Sequence, residues 1–316
     1  MPNTAPPRHQ PLAPAVWIML WTLAVIWGGS FLSNRVALEE AGVLTTVAFR
    51  VAGGALFLWA YVLWRRLPVP HAPRDLAGYA VLGILNNVVP FSLIVWGQQH
   101  IPSGLASIFN ATTAVFTVCL AAVFLPDERL TLRKAAGVLL GLAGVATAIG
   151  AGALRQLDLT SLGQLAVLGA AASYAVSGII ARYITRGLRP EVAAAGMLGV
   201  SSLVMVPAAI WTEGAPRLSY AWPTWAALMW LAFVSSAIAY ILFYKVLARA
   251  GAGNLSLVTL MIVPVAIALG AIVYGEALAP RAWAGFGLLA LGLLVLDGRL
   301  PPKSLKIPRE SSPPSR

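Results

Sequence analysis

Apolar runs recur along the chain from residue 15 to residue 296, interrupted only by short clusters of charged, proline or glycine residues. Each run is continuous and approaches the ~20 residues that a helix needs to cross a bilayer. The pattern predicts ten membrane helices. The first five cover 15–33, 44–64, 76–97, 104–125 and 135–152, and the second five 162–181, 192–211, 222–245, 254–274 and 282–297. Hydrophobicity that does not alternate along the strand period excludes a β-barrel, so the fold class is an all-α integral membrane protein. The segments outside the helices read as a disordered N-terminal tail over 1–14, a connecting loop over 153–161, and a basic, Pro-rich C-terminal tail over 298–316. No small-residue cleavage site follows the first apolar run, which therefore reads as a span and not as a removed signal peptide.

Composition strengthens this reading. Of 316 residues, 59% are hydrophobic and only 10% charged, against about 25% charged in soluble domains. An ordinary water-exposed surface cannot be built from such a chain. The net charge of +11 would suggest nucleic acid for a soluble protein, but its distribution points elsewhere. With the N-terminus inside, 17 of the 22 Lys and Arg fall in cytoplasmic loops and tails; four face outward (Arg35, Arg155, Arg217, Arg281) and Arg50 lies within a span. That asymmetry predicts a multi-pass membrane protein with both termini in the cytoplasm, partnered by the lipid bilayer and not by nucleic acid. Cys119 is the one cysteine, so no intramolecular disulfide and no structural zinc site is expected, and no cofactor or metal is implied.

A shift of 148 residues superimposes 127–144 on 275–292 with seven of 18 positions identical, including Glu128 with Glu276, Arg133 with Arg281 and Gly144 with Gly292. The chain therefore reads as two five-helix repeats, 15–152 and 162–297. Five is odd, so the second repeat enters the membrane from the opposite side. Inverted repeats of this kind give a protein two related states, open to one face or the other, around a site near the midplane. That architecture implies transport of a small-molecule substrate.

The same residues resemble the drug/metabolite transporter superfamily in its ten-helix EamA-type exporter branch. The resemblance covers about 15–297 and rests on several short motifs. These are Trp27-Gly28-Gly29-Ser30-Phe31 at the end of helix one, Arg50 in helix two, and Leu125 through Thr131, with Glu128, Arg129 and Leu130, before a Gly-rich helix. Pro264-Val265 followed by Gly275-Glu276 completes the set. Two positions depart from the family pattern. Ala114 stands where a proline is usual in helix four, and Pro126-Asp127 replaces the usual glycine before Glu128. The resemblance implies an exporter of amino acids or related small metabolites in a bacterial inner membrane, closest to the aromatic and neutral amino-acid exporters.

Arg50 is the only formal charge clearly inside a span, and a guanidinium there costs about 2.5–3.5 kcal/mol on insertion scales unless it faces the bundle interior. It reads either as an anchor for a substrate carboxylate or as a tie to backbone carbonyls. Helix three offers Asn86, Asn87, Ser92 and Trp96; helix eight offers Ser235, Ser236, Tyr240 and Tyr244. The spacing i, i+4, i+8 puts Ser236, Tyr240 and Tyr244 on one face, an aromatic wall with hydroxyl tips. For Trp96 and Tyr244, near helix ends, a place in the interfacial aromatic belt is the competing reading. Asn110, Thr112 and Thr113 of helix four and Ser173, Tyr174 and Ser177 of helix six complete the candidate lining, though small polar residues also serve as packing glue. Pro90, Pro207 and Pro264 are candidate hinges or tolerated kinks. The glycines of helices five and ten read as scaffold contacts flanking the cavity, with a monomer favoured over a homodimer.

Other functions fit less well. All three histidines fall in a tail or loops, and no acidic pair sits within a span, which leaves an intramembrane enzyme without catalytic groups. A sugar-phosphate or nucleotide-sugar antiporter would need several cations in its cavity, and a proton-coupled drug or organic-cation exporter would need an intramembrane acid or histidine. The absence of such a group favours facilitated diffusion.

Overall fold

The computed structural model describes residues 12–125, 128, 130–150, 161–217, 219–274 and 280–297. Most of both tails, residues 153–160 of the connecting loop, Pro126, Asp127, Arg129, Gly275 and Glu276 lie outside these residues. Every element among the described residues is helical. In the first repeat α1 spans Pro14–Ala37, α2 Val43–Trp64, α3 Pro73–His100, α4 Ser103–Phe124 and α5 Leu132–Ile149. In the second, α6 spans Leu162–Ile184, α7 Pro190–Glu213, α8 Trp222–Leu255, α9 Leu257–Tyr274 and α10 Pro280–Asp297. Seven of them, α1–α4 and α6–α8, are long and apolar enough to cross a membrane, and α9 and α10 add shorter apolar stretches. Ten passes bring Pro14 and Asp297 to the same face. That face carries Arg65, Arg66, Arg74, Arg133, Lys134, Arg182, Arg186, Arg189 and Arg249 and is called the basic face below.

Polarity is arranged for a lipid solvent. Leu56, Leu63, Leu203 and Ile272 present apolar side chains outward, whereas Asn34, Arg50, Asn86, Asn87, Ser107 and Asn110 are buried between helices. In hydrocarbon no water can satisfy a backbone or side-chain polar group, so polar residues concentrate where other helices supply partners.

Several helix starts are fixed by rigid or anionic groups. Proline occupies the first turn of α1, α3, α7 and α8, where its missing N–H costs nothing. The Glu213 carboxylate, at the end of α7, accepts the Leu44 and Thr45 N–H groups at 2.9 and 2.8 Å. Glu40 accepts the Ala221 N–H at 2.8 Å. Both place negative charge at the positive end of a helix dipole.

The hydropathy pattern ended the eighth helix at 245; the structure carries α8 to Leu255. Lys245 and Arg249 made 245–253 resemble a loop, but long cationic side chains can leave a helix flank for the interface without ending the helix. The actual break is one residue, Gly251, with φ 80° and ψ 172°. Only glycine adopts that backbone conformation without strain.

Two wide π-type turns interrupt the helices, at Ile84–Val88 in α3 and at Trp230–Ile238 in α8. The 148-residue shift carries 84–88 onto 232–236, inside the second turn. The repeats thus share a backbone distortion as well as sequence. Such turns leave carbonyls without their i+4 partner, and side chains from neighbouring helices satisfy them. Ser173 Oγ donates to the Leu85 carbonyl at 2.7 Å and Tyr240 Oη to the Asn86 carbonyl at 3.3 Å. Trp27 Nε1 donates to the Ser235 carbonyl at 3.0 Å. Pro90 follows the first turn and has no N–H to offer the Asn86 carbonyl four residues earlier. α7 and α9 remain helical through Pro207 and Pro264. α4 has a break at Thr112 even though Ala114 replaces the family proline.

α5 and α10 pack backbone to backbone. A Cβ at Gly144 would lie 2.5 Å from the Leu289 nitrogen, and one at Gly292 would lie 2.7 Å from the Gly141 nitrogen. Small residues permit this approach. Neither helix reaches the central cavity described next.

Candidate functional site

A cavity of about 90 Å³ lies between the repeats. Its walls come from both halves: Trp27, Ser30, Phe31 and Asn34 of α1, Arg50 of α2, and Asn86, Phe91 and Ile94 of α3. Asn110, Thr113 and Thr117 of α4, Tyr174 and Gly178 of α6, Tyr240, Phe243, Ala252 and Leu255 of α8, Ser256, and Val258, Thr259 and Ile262 of α9 complete it. The lining is mostly apolar and aromatic with a few convergent polar groups, the usual make-up of a small-molecule site.

The sequence WGGSF is explained by this architecture. A Cβ at Gly28 would meet Val265 of α9, and one at Gly29 would meet the Trp230 indole. Their absence lets α1 sit against α8 and α9. Ser30 Oγ then donates to Ser235 Oγ at 2.8 Å, while Trp27 turns its ring into the cavity, 6.2 Å from that of Tyr240.

Arg50 is 5% exposed, and its guanidinium carbon lies 3.7 Å from the Phe91 ring centroid. Nε donates to Ser236 Oγ at 3.4 Å. Among the described residues no carboxylate pairs with it. The guanidinium therefore sits as an uncompensated cation on the cavity wall, supported by an aromatic face. Among the described residues the contacts of Arg50 are a side-chain bond and an aromatic face, with no hydrogen bond to a backbone carbonyl.

Tyr240 is buried and hydrogen-bonded in the cavity wall. Its hydroxyl donates to Asn87 Oδ1 at 2.5 Å, and Asn87 Nδ2 donates to Ser201 Oγ at 2.9 Å. Ser201 Oγ in turn donates its one proton to the Met197 carbonyl at 2.8 Å, with the Gly83 carbonyl next to it at 3.1 Å. A chain of hydrogen bonds thus joins α8, α3 and α7 behind the cavity wall.

Six of the fifteen predicted lining residues, Arg50, Asn86, Asn110, Thr113, Tyr174 and Tyr240, border this cavity. The other nine do not. Asn87, Ser173 and Ser235 hold the framework just described, and Ser236 supports Arg50 from behind while donating to the Leu231 carbonyl. Thr112 Oγ1 bonds back to the Phe109 carbonyl at the break in α4. Ser92 faces the Met205 sulfur, and Ser177 is buried away from the cavity. Tyr244, one turn beyond Tyr240, gives its hydroxyl to the Met197 sulfur at 3.2 Å. It is fully packed and belongs to neither the lining nor an exposed belt. Trp96 is half-buried against His100, at 4.4 Å between ring centroids.

Sequence reasoning passed over Asn34, Phe91, Thr117, Phe243, Ser256 and Thr259 as lining. One signal was available: Asn110, Thr113 and Thr117 follow i, i+3, i+7 spacing, the pattern of a single polar helix face.

On the basic face the cavity ends at a short segment, 251–255. The Glu128 carboxylate accepts the N–H groups of Ala252 at 3.0 Å and Gly253 at 2.8 Å and pairs with Arg182 of α6. Ala252 and Leu255 line the central cavity, while Gly251 and Asn254 line a second, wider cavity of about 560 Å³. Arg133, Lys134, Arg182, Arg186 and Arg249 surround this vestibule. Segment 251–255 is therefore the partition between vestibule and site. On the opposite face Gln98 bridges three helices: Nε2 donates to the Phe31 carbonyl and Ser103 Oγ, and Oε1 accepts from Asn34 Nδ2 at 2.9 Å.

Comparison with known proteins agrees with this architecture. The model of the EamA-like transporter family matches twice, over residues 15–150 and 161–296. A probable terminal-alkyne amino-acid exporter from Streptantibioticus cattleyicolor is 30% identical over 311 residues, covering 96% of this chain and 99% of that protein. The uncharacterised inner membrane transporter YedA of Escherichia coli is 27% identical over 284 residues, 88% of this chain and 89% of its own. A crystal structure sharing 20% identity superimposes with a TM-score of 0.72 over 89% of this chain and 97% of that one, a likeness of fold alone. Matched once in each five-helix half, the chain belongs to the EamA-like transporter family and is a multi-pass membrane transporter.

Proposed function

We propose that this transporter exports neutral and aromatic amino acids and related small metabolites by alternating access. The observation that carries the reading is the uncompensated Arg50 cation in an otherwise apolar, aromatic cavity. A buried cation of this kind needs an anionic partner, and a substrate carboxylate supplies one with a bidentate fit. Trp27, Phe91, Tyr174, Tyr240 and Phe243 offer the wall for an apolar side chain. The name given to the relative from Streptantibioticus cattleyicolor, an amino-acid exporter, points the same way. Organic cations fit poorly beside Arg50, and a dianionic phosphate ester would want more than one cation in the cavity.

In this reading the basic face is cytoplasmic, in a bacterial inner membrane, and both termini lie there. The transporter works as a monomer in the bilayer, and substrate moves down its own gradient. No acidic residue lines the cavity among the described residues, and the Glu128 carboxylate is engaged by two amides and Arg182. Proteoliposomes loaded with labelled amino acids, organic cations or phosphorylated metabolites test the substrate class. Protein-dependent efflux of neutral and aromatic amino acids is expected. Efflux of amines or phosphate esters with amino acids retained overturns the reading. A pH jump with equal substrate on both sides should produce no accumulation; accumulation abolished by a protonophore overturns the passive mechanism.

A further inference from the structure

One wall of the cavity holds polar groups that the protein itself leaves unused. The Oδ1 of Asn110 and the Oγ1 of Thr113 are fully buried and have no hydrogen-bond partner. Thr117, one turn further along α4, also lines the cavity and forms no side-chain hydrogen bond among the described residues. Asn110, Thr113 and Thr117 are each under 5% exposed. Native interiors rarely tolerate such orphans, because each polar group gave up water on folding. The framework around them makes the contrast sharper. Tyr240, Asn87, Ser201, Ser235 and Ser173 have all found partners. The α4 stripe that borders the cavity keeps two oxygens, Asn110 Oδ1 and Thr113 Oγ1, unsatisfied.

We propose that Asn110 and Thr113, extended by Thr117, form the subsite for the α-ammonium group of a zwitterionic substrate whose carboxylate is held by Arg50. The inference rests on the amino-acid reading above and adds to it a second, separate point of recognition. An ammonium group donates three hydrogen bonds, and hydroxyl and carboxamide oxygens can accept them. Neutral acceptors suit this cavity better than a carboxylate. A carboxylate would pair with Arg50 and compete with the substrate for it, whereas neutral oxygens leave the guanidinium available. The bound zwitterion brings its own opposite charges, so the filled cavity keeps the net charge of the empty one. Selectivity against simple carboxylic acids then comes from α4, and selectivity against simple amines comes from α2.

The test uses the full-length protein, purified in detergent, and binding followed by tryptophan fluorescence. The probes are phenylalanine, phenylpropionate, which lacks the ammonium group, and phenylethylamine, which lacks the carboxylate. Thr113→Val keeps side-chain volume and removes the hydroxyl; Asn110→Leu does the same for the carboxamide. Each should weaken phenylalanine about tenfold, the scale of one hydrogen bond to a charged group. Phenylpropionate affinity should stay within about twofold, because its one charge is held elsewhere. Arg50→Ala should show the complementary pattern, weakening phenylalanine and phenylpropionate and sparing phenylethylamine. Equal weakening of phenylalanine and phenylpropionate in the α4 variants would mean a structural role for the stripe and overturn the subsite. So would unchanged phenylalanine affinity. Absence of phenylalanine and phenylpropionate binding by the unaltered protein would overturn the amino-acid reading itself, and the subsite with it.

Discussion

Removing the Glu128 carboxylate should loosen the partition on the basic face. Glu128→Ala leaves the Ala252 and Gly253 amides, held at 3.0 and 2.8 Å, with no acceptor. A buried donor without a partner costs about 1–3 kcal/mol, so two give a loss of about 2–6 kcal/mol. Arg182 is 20% exposed and borders the vestibule, so losing its partner adds little to this figure. Glu128→Gln keeps one carbonyl oxygen and should cost about half as much. Arg182→Gln leaves both amides capped and should cost about 1 kcal/mol or less. At about 2–4 °C per kcal/mol, Glu128→Ala should lower the unfolding midpoint in detergent by about 4–24 °C. Hydrogen exchange followed by mass spectrometry should show faster exchange at 252–253 in the order Ala above Gln above Arg182→Gln. Protection at those amides equal to wild type in Glu128→Ala would refute the capping argument. A larger effect of Arg182→Gln than of Glu128→Ala would refute the order, making the ion pair and not the cap the main contact.

Four further outcomes follow from named contacts. Tyr240→Phe removes the donor to Asn87 Oδ1 and the Asn86 carbonyl; it should cost about 1–3 kcal/mol in thermal unfolding and slow transport while protein remains folded. Gly251→Ala forces a Cβ onto a φ of 80° and against the Glu128 carboxylate; a loss of about 1–3 kcal/mol by the same assay is expected. Gly144→Val and Gly292→Val should each separate α5 from α10 and destabilise by about 1–3 kcal/mol or more, with substrate affinity unchanged in the protein that folds, measured by fluorescence binding. Reporter fusions should place residues 98–102 outside the cytoplasm; a cytoplasmic signal there would reverse the orientation.

Much of the fold is legible in hydropathy because a membrane helix must satisfy its own backbone and turn apolar residues to lipid. That requirement acts on every span and leaves a signal in every span. Helix α8 shows where the signal fails. Lys245 and Arg249 read as loop residues, yet the helix continues past both to a break that depends on one glycine. The π turns leave no hydropathy trace, since a wider turn changes the number of residues per turn and not their polarity. They account for the misplaced framework residues: Ser173, Ser235 and Ser236 bond to or near carbonyls whose freedom is visible only in three dimensions. Arg50 was legible because a charge in a span demands an explanation. Asn34 and Thr117 were not, because a short polar side chain at a helix interface is ordinary, and only its place on the cavity wall sets it apart.

Passage of substrate through the cavity between the repeats is tested most directly by labelling its wall. Gly178 of α6 lines that cavity, and a Cβ built there meets nothing within 4 Å. Cys119 is the only cysteine and is exposed, so Cys119→Ser provides a background without thiols. In that background Gly178→Cys should fold and transport. A small methanethiosulfonate reagent should then abolish amino-acid efflux from proteoliposomes, and saturating substrate should slow the modification. Complete modification, verified by mass, with efflux unchanged would contradict the account.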